Sequence, residues 1–448
     1  MKTSLTLAFT SLLSFGALTS FAQPEPGTLV WSYESGNTIA GSPAVAPDRT
    51  ILFANGSFLA ITNMGSNRWT FPIAGGSHGG YSSPAIAADG TAYLSGGSLY
   101  AVNPDGTQKW AFPADCENGS PAVGFDNGVF IHGYGLLYSL SSGGIMVWSN
   151  RIGGSYTYGS PSIAADRSIY SPAPETQSLY AISANGSRSW QAGVSFNTAD
   201  TAAIAANGTV YTTGGGLYAF SAPGSNLWVN TTNSFVGSCP AIGKDGTIYV
   251  ATYGGGTLYA LTPSGDVKWK ATLTLEDSTN APPIKCPAID SQGTIYHAAF
   301  HSLYAISPQG NVEWTFTHPG DTNSPANRTL TSPAIGPDGT IYVTFGSKLY
   351  ALYGTNKLAD SPWPMYRQNA RHTGKVEKPS LQQPKKRADA NFEFQLYAQI
   401  DQTQTVQTST DLVAWAPLTN IVVTNVPMDV VDLCASNFPT RFYRTLSQ

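Results

Sequence analysis

One sequence pattern recurs eight times along the chain and constrains its fold more than any other feature. A typical copy begins with a short segment, usually Ser-Pro-Ala-Ile, continues through Asp-Gly-Thr-Ile-Tyr and Leu-Tyr-Ala-Leu, and is followed by a Gly and a Trp. The anchor residue of the first segment returns every 37 to 47 residues, at Pro43, Pro84, Pro121, Pro161, Ala202, Pro240, Pro287 and Pro333. A period of this size is typical of repeat proteins, in which stacked units bury one continuous core.

Each repeat predicts a small four-stranded antiparallel sheet. In the copy that begins at Pro240, Asp245-Gly246 is a hairpin signal, because glycine tolerates a positive φ. The segments 247–250 and 257–261 are rich in β-branched and aromatic residues and are expected to form the second and third strands. A fourth strand surrounds Trp269, and proline opens the first strand, where a missing N–H matters least.

Residue sizes favour a radial arrangement of these sheets. The first strand of each repeat is rich in small residues, as expected where sheets crowd around one axis, and a Trp comes late in the repeat, where neighbouring sheets diverge. We interpret these tryptophans as packing residues between blades rather than ligand-stacking residues. They are Trp69, Trp110, Trp148, Trp190, Trp228, Trp269 and Trp314.

The eighth tryptophan stands at the other end of the chain. The last repeat, from Pro333 to Leu352, lacks a blade Trp, whereas Trp31 precedes the first complete repeat. We therefore predict that the N-terminal segment supplies the outer strand of the eighth blade, which closes the ring and hides its edges. The predicted fold class is all-β, a closed eight-bladed β-propeller with a small C-terminal β-sandwich-like module.

The ends of the chain predict four regions. Residues 1–22 combine Lys2, an apolar run and Ser20-Phe21-Ala22, which indicates a secretory signal peptide and an exported protein that is periplasmic, secreted or on the cell surface. No later stretch is apolar enough for a membrane helix. The propeller is expected over 23–374, a polar linker over 375–388, and a β module with Trp415 in its core over 389–448.

Composition and cysteines narrow the classes of partner. Only 11% of residues are charged, the net charge is −4, and no basic run suggests nucleic-acid binding. Cys239 and Cys286 replace the anchor serine in consecutive repeats and are expected on neighbouring inner strands, either as a disulfide or as two buried thiols. Cys116 and Cys434 have no obvious partner.

The search for catalytic chemistry ends without assigned residues. His297 and His301 are close enough in sequence to share a metal, but no third ligand is near, and we interpret them as ordinary loop histidines. Five aspartates adjoin turn glycines and are interpreted as turn formers: Asp89, Asp105, Asp245, Asp266 and Asp338. We assign no catalytic residue, no cofactor-binding residue and no metal ligand.

The repeat resembles the quinoprotein-type β-propeller, whose units are called pyrroloquinoline-quinone (PQQ)-like repeats. The resemblance covers about Gln23 to Gly374 and is close over 245–261 and 338–352. Trp363-Pro364-Met365-Tyr366-Arg367 through His372-Thr373-Gly374 is similar to a segment often found beside such repeats. The family includes PQQ-dependent alcohol and sugar dehydrogenases and non-catalytic members such as the scaffold BamB. Residues 409–415 and 441–444 resemble a tail module of secreted bacterial proteins, which implies export or surface display.

The resemblance leaves two hypotheses for function. A quinone dehydrogenase of this family would need a vicinal disulfide, a tryptophan floor, a calcium site and a catalytic Asp, yet no two cysteines are adjacent here and the tryptophans are assigned to packing. The favoured hypothesis is an exported, non-catalytic binding or scaffold module for a protein or glycan partner, with no cofactor. The alternative is a PQQ-dependent oxidoreductase with an atypical site.

Loop lengths indicate where a partner would bind. The connections from each Trp to the next Ser-Pro vary widely in length, and all of them are expected on one end of the ring, together with the loops between second and third strands. We call this end the variable face; neutral drift of exposed loops explains the variation equally well. Its candidate residues are His78, Tyr81, Tyr156, Tyr158, Phe196, Phe235, Glu276, Asp277 and Asp321.

Overall fold

The chain folds into sheets built almost entirely from its repeats. A computed structural model describes residues 23–73, 82–116, 119–153, 159–195, 201–231, 235, 238–252, 256–273, 286–320, 328, 331–376, 380–387, 391–397, 403–411, 413–422, 428–437 and 441–447. The predicted signal peptide over 1–22 lies outside these residues. Within them, eight antiparallel sheets form the blades of the propeller, and two short 3-10 turns lie at Pro174–Thr176 and Ala435–Asn437.

The first four blades follow the predicted order from an inner two-residue strand to an outer strand that carries the Trp. Blade 1 contains β2 (Ala44–Val45), β3 (Ile51–Ala54), β4 (Ser57–Ile61) and β5 (Asn67–Pro72), and blade 2 contains β6 (Ala85–Ile86), β7 (Ala92–Val102) and β8 (Gln108–Cys116). Blade 3 contains β9 (Ala122–Val123), β10 (Val129–Gly133), β11 (Leu136–Leu140) and β12 (Met146–Arg151), and blade 4 contains β13 (Ser162–Ile163), β14 (Ile169–Ala173), β15 (Ser178–Ile182) and β16 (Arg188–Gly193). In blade 2, β7 is continuous through the turn between its second and third strands.

The next four blades repeat this order. Blade 5 contains β17 (Ala203–Ile204), β18 (Val210–Thr213), β19 (Leu217–Phe220) and β20 (Asn226–Asn230), and blade 6 contains β21 (Ala241–Ile242), β22 (Ile248–Ala251), β23 (Thr257–Leu261) and β24 (Val267–Thr272). Blade 7 contains β25 (Ala288–Ile289), β26 (Ile295–Ala299), β27 (Ser302–Ile306) and β28 (Val312–Thr317), and blade 8 contains β29 (Ala334–Ile335), β30 (Ile341–Phe345), β31 (Lys348–Leu352) and β1 (Leu29–Glu34). Every inner strand starts directly after its predicted anchor residue.

Blade 8 is completed by the N-terminal strand, as predicted. β1 pairs antiparallel with β31, and Trp31 lies opposite Ala351. Blade 8 also joins blade 1 at the axis, because the Ser332 N–H donates to Ser42 Oγ at 2.9 Å. The predicted fold class, a closed eight-bladed propeller, is confirmed.

The blade tryptophans pack between blades, which confirms their predicted role. Seven indole N–H groups donate to a backbone carbonyl in the outer turn of the next blade, at 2.8–3.0 Å. Each ring lies against a turn glycine of that blade. A Cβ at Gly106 would come within 2.7 Å of Trp69, and φ there is 89°, so two independent constraints require glycine. The contact between Trp314 and Gly27 brings the N-terminal segment into this ring of contacts.

The aspartates of the first turn shape their hairpins. The carboxylates of Asp89, Asp245 and Asp338 accept the N–H two residues later at 3.0–3.1 Å. Burial acts to raise the pKa of Asp89, but hydrogen bonds from Thr91 and Lys109 lower it below its ordinary value. These three residues are turn formers, as predicted.

The C-terminal residues form two three-stranded sheets. One contains β32 (Ser380–Lys386), β33 (Phe392–Tyr397) and β36 (Met428–Asp432), and the other contains β34 (Thr403–Ser409), β35 (Ala416–Val422) and β37 (Phe442–Ser447). Leu396, Val406 and Val430 pack together as a small apolar core. This is the sandwich-like module that the alternating pattern predicts.

Two expectations for this region need correction. The stretch 375–388, expected as a linker, contains β32, which pairs with β33 and is irregular between Gln382 and Lys385, around Pro384. Trp415, expected in the core, is partly exposed, with the Arg444 guanidinium 4.2 Å from its ring centroid. A cation over an aromatic face stays in contact with water, which is why this Trp is found at the surface.

Candidate functional site

The chain after blade 8 returns across one end of the ring and closes its centre. We call residues 354–376 the plug. The plug lies on the end that carries the Asp-Gly-Thr turns, opposite the variable face. Trp363, Met365 and Arg367 of the plug are fully buried.

The plug is tied to the inner strands by main-chain hydrogen bonds. The inner strand of each blade ends after two residues, and the N–H of its second residue points away from the neighbouring strand. In six blades this N–H donates to a plug carbonyl at 2.7–2.9 Å: Val45 to Ala370, Ile86 to Arg371, Val123 to Thr373, Ile163 to Gly374, Ile242 to Trp363 and Ile289 to Pro364. Both partners in these bonds are backbone groups, so this part of the attachment does not depend on particular plug side chains.

Arg367 holds the plug from inside the ring. Its guanidinium donates to the Pro161 carbonyl at 3.1 Å and to the Pro121 carbonyl, so it bridges the inner strands of blades 3 and 4. Arg367 and Gln368 have φ of 57° and 75°, in the left-handed region that non-glycine residues rarely adopt. A positive φ is energetically unfavourable for these residues, but the turn places the buried Arg367 charge on two carbonyl acceptors, which compensates.

A second ring of hydrogen bonds joins the blades at their anchor positions. The residue before each anchor donates its N–H to the hydroxyl of the equivalent residue in the next blade. These bonds run from Ser42 to Ser83, Ser83 to Ser120, Ser120 to Ser160, Cys286 to Ser332 and Ser332 to Ser42, at 2.8–3.1 Å. All of these residues are buried. The small anchor residues that indicated a crowded axis therefore also link the blades.

A disulfide takes the place of one link in this ring. Cys239 of blade 6 and Cys286 of blade 7 are bonded, with their Cα atoms 5.0 Å apart, within the range that a disulfide spans. Of the two alternatives that the sequence leaves open, the structure therefore has the disulfide. Tyr366 of the plug packs on it, and the Tyr366 hydroxyl lies 3.3 Å from Ser120 Oγ. Cys116 and Cys434 do not form a disulfide.

The buried histidines belong to the core. His372 of the plug and His132 of blade 3 are almost fully buried, and His132 Nε2 lies 2.6 Å from Ser171 Oγ. Burial lowers the pKa of both rings to about 3, and the nearby Arg367 charge contributes to each shift. Both rings are therefore neutral at physiological pH.

His297 and His301 are not the loop pair that their sequence spacing suggests. His297 is fully buried within β26, and His301 is buried in the turn that follows it. No group of three His, Cys, Asp or Glu side chains suited to a metal ion occurs among the described residues. No helix in the described part of the chain is long and apolar enough to cross a membrane.

Most candidates for the variable face lie outside the described residues: His78, Tyr81, Tyr156, Tyr158, Phe196, Glu276, Asp277 and Asp321. Phe235 is described and is fully buried, edge-on against Tyr259 at 5.6 Å, so it is a core residue and not a surface contact. Tyr134, which is not among the candidates from the sequence, stands at the variable-face turn between β10 and β11 with 63% of its surface exposed. An aromatic residue followed by Gly135 between two apolar strands is the signal that identifies such an exposed hairpin tip.

Comparison with known families agrees with this geometry. The family described as outer membrane protein assembly factor BamB matches residues 95–228 and 213–372, which together span more than half of the chain. The chain belongs to this family. No curated protein matches the sequence significantly.

Solved structures share this fold at low sequence identity. BamB from Moraxella catarrhalis is 15% identical, with a TM-score of 0.55 over 72% of this chain and 97% of that chain. The C-terminal WD40 domain of Sif2 has a TM-score of 0.53 at 10% identity, over 73% and 96% of the two chains. The dihydro-heme d1 dehydrogenase NirN has a TM-score of 0.51 at 11% identity, over 76% and 81%. At these identities the likeness concerns the fold alone.

Proposed function

We propose that this BamB-family propeller is an exported scaffold that binds a protein partner on its variable face. The observation that carries the proposal is the difference between the two ends of the ring. One end is occupied by the chain's own plug, bonded to six inner strands. The other end bears the connections of variable length and presents Tyr134 to solvent.

The family and the exposed residues support a protein as the partner. The matching family is described as an assembly factor, a role that consists of contacts between proteins. Exposed aromatic side chains at loop tips supply contact area at low entropic cost and are enriched in protein interfaces. A glycan partner is the competing outcome of the experiment below.

Contacts at the axis support binding rather than quinone chemistry. Tyr366 and Arg367 of the plug and the Cys239–Cys286 disulfide lie at the centre of the inner ring. Each of these groups has a packing or hydrogen-bonding partner in the ring, which accounts for it structurally. The export of the chain and a surface-attachment role for the C-terminal module are parts of the same proposal.

Site-specific photocrosslinking tests the proposal. A photoreactive phenylalanine replaces Tyr134 on the variable face, and a matched control replaces Met64, which is 78% exposed in an outer turn of blade 1 at the opposite end. We expect protein adducts from the Tyr134 position and none from the Met64 position in cells that export the full chain. Adducts at Met64 alone, adducts at neither position, or adducts that carry glycan instead of protein contradict the proposal.

Cofactor titration tests the enzymatic alternative separately. Purified protein is mixed with PQQ and calcium, and quinone absorbance and dye reduction with alcohols and sugars are recorded. We expect neither binding nor turnover. Saturable binding with turnover would replace the scaffold proposal with an oxidoreductase.

A further inference from the structure

The outer strand of blade 3 begins with three exposed apolar residues. Ile145, Met146 and Val147 stand directly before the blade Trp and are 73%, 50% and 64% exposed. In the other seven blades, at least one of the three residues before the Trp is polar. Edge strands are normally protected from pairing with another chain by bulges and by charged side chains. All eight outer strands have a bulge at this point, so blade 3 lacks only the polar protection.

Val147 stands where three other blades carry a cation. In blades 1, 2 and 6 this residue is Arg68, Lys109 or Lys268, and each is paired with the first-turn aspartate of its own blade at 2.7–3.2 Å. Asp126 is the equivalent aspartate of blade 3 and is exposed. Among the described residues, no Lys or Arg pairs with it. The plug end of this outer edge therefore carries a negative charge without the cation that other blades supply.

The backbone of β12 is open on its outer side. β12 is the last strand of its sheet, and the Ile152 N–H donates to the Gly135 carbonyl at 3.0 Å. Bonded and non-bonded pairs alternate along an antiparallel ladder, so the N–H and C=O groups of Ser149 and Arg151 point away from the blade. Both residues are exposed, so these groups can be reached from solvent. The Arg151 carbonyl accepts one bond from Arg188 of blade 4 at 2.8 Å and has a second lone pair.

The two ends of this edge carry opposite charges, which a second copy of the chain complements. Asp126 lies at the plug end, and Arg151 lies at the variable-face end, where it forms no ion pair with a described residue. A second copy that runs antiparallel along β12, with its Ser149 opposite Ser149, places its Arg151 opposite Val147. The cations of blades 2 and 6 reach their aspartates from this position, so the arginine of each copy can pair with Asp126 of the other. A two-fold axis makes the contact twice, and the apolar residues add no charge that opposes it.

We propose that the outer edge of blade 3 binds a second copy of this chain, with the two β12 strands antiparallel and a two-fold axis at Ser149. The two blades then form one continuous sheet, held by main-chain hydrogen bonds at its centre and by an ion pair between Arg151 and Asp126 at each end. A contact of one strand on each side buries little surface, so the dimer is expected to be weak and concentration-dependent. The dimer does not depend on the protein partner proposed for the variable face.

Sedimentation velocity on the purified protein over a concentration series tests the dimer. The wild type should change from monomer to dimer as the concentration rises. Val147→Lys introduces the residue that blades 2 and 6 carry at this position, so the fold should be preserved. It should weaken dimerisation more than about ten-fold, because the new cation occupies Asp126 and faces Arg151 of the other copy.

A matched control separates this site from a general effect of added charge. Leu227→Lys makes the same change at the same position of blade 5, where Leu227 is 52% exposed, and should leave dimerisation unchanged. The proposal is overturned by a wild type that stays monomeric, by Val147→Lys that dimerises like the wild type, or by an equal loss of dimer in both variants.

Charge substitutions test the register of the two strands. Arg151→Glu should weaken dimerisation about ten-fold, because the new carboxylate faces Asp126 of the other copy at both ends of the contact. Adding Asp126→Asn removes this repulsion and keeps the side-chain oxygen that accepts the Gly128 N–H at 3.1 Å, so it should recover part of the loss. A dimer that is insensitive to Arg151→Glu, or that Asp126→Asn does not restore in part, refutes the antiparallel register.

Crosslinking tests the position of the two-fold axis. In a Cys434→Ser background, Ser149→Cys should form a disulfide between copies under mild oxidation, because opposed residues of a bonded antiparallel pair have Cα atoms about 5.5 Å apart. Gln191→Cys, at the same position of blade 4, should form none. Absence of the Ser149→Cys crosslink, or equal crosslinking by both variants, contradicts a two-fold axis at Ser149.

Discussion

Replacing both bridged cysteines with serine gives a direct measure of what the disulfide contributes to the ring. The bond joins residues 47 apart in sequence, and closing a loop of this length in the unfolded chain corresponds to about 4 kcal/mol of stability in the chain-entropy model. In five other blades, serine stands directly before the anchor proline, where Cys239 and Cys286 stand in blades 6 and 7. These serines are Ser42, Ser83, Ser120, Ser160 and Ser332. The double variant Cys239→Ser, Cys286→Ser therefore restores the link that the disulfide replaces.

The restored hydrogen bond offsets part of the loss. An N–H to hydroxyl bond of this kind contributes about 1 kcal/mol, which leaves a net destabilisation of about 3 kcal/mol. With an unfolding entropy near 2.1 cal/mol/K per residue over about 350 residues, this corresponds to a melting temperature lower by roughly 4 °C. The change is modest because the ring keeps its geometry and loses only a covalent constraint.

Scanning calorimetry with and without dithiothreitol measures the effect and supplies its control. Dithiothreitol should lower the melting temperature of the wild-type chain by at least as much as the double substitution does, and should leave the double variant unchanged. Cys116→Ser, which alters a cysteine outside the disulfide, should retain the response to dithiothreitol. A double variant with the same melting temperature as the wild type would refute the assignment of this stabilisation to the bond between blades 6 and 7. A double variant whose melting temperature still falls in dithiothreitol would refute it as well.

Further predictions concern ring closure, the plug, acid stability and the tail. Trp31→Ala should lower the free energy of unfolding, measured with guanidinium, by roughly 3 kcal/mol, because it removes the side chain that packs against blade 1. Val30→Ser, on the exposed side of the same strand, should change the free energy of unfolding by less than about 0.5 kcal/mol. Arg367→Met leaves two inner carbonyls without their donor and should cost roughly 3 kcal/mol, with faster hydrogen exchange in peptides from 363–374. His132 and His372 are held neutral in the folded chain with pKa values of about 3, so the unfolded chain binds more protons than the folded chain below pH 6.5. The free energy of unfolding should therefore fall as the pH decreases from 6.5 toward 3. Replacing either histidine with Gln should make this pH dependence weaker. We place the boundary of the C-terminal module between residues 376 and 380, and the first limited-proteolysis cut should fall there; a first cut inside a blade would contradict this boundary.

The sequence by itself determined the ring, because each repeat encodes its own blade. The anchor residues, the Asp-Gly turns and the late tryptophans act over a few residues or between adjacent repeats, so their spacing is visible in the chain. Trp31 could be assigned to blade 8 for the same reason, because the last repeat lacked a blade tryptophan and Trp31 belonged to no complete repeat. The alternation that predicted a C-terminal β module is equally local.

Only the tertiary structure decided how the centre of the ring is filled. The plug contacts strands that lie hundreds of residues earlier: the Arg367 side chain reaches the Pro121 carbonyl, and plug carbonyls accept from inner-strand N–H groups. The local sequence does not show which distant strands these groups meet. Among the described residues, plug carbonyls accept hydrogen bonds from the inner strands of blades 1, 2, 3, 4, 6 and 7, a choice of blades that no local pattern indicates. Phe235, expected at the surface, lies in the core against Tyr259, and Trp415, expected in the core, is partly exposed with the Arg444 guanidinium over its ring. Burial depends on which distant side chains cover a residue, and the local sequence does not show this.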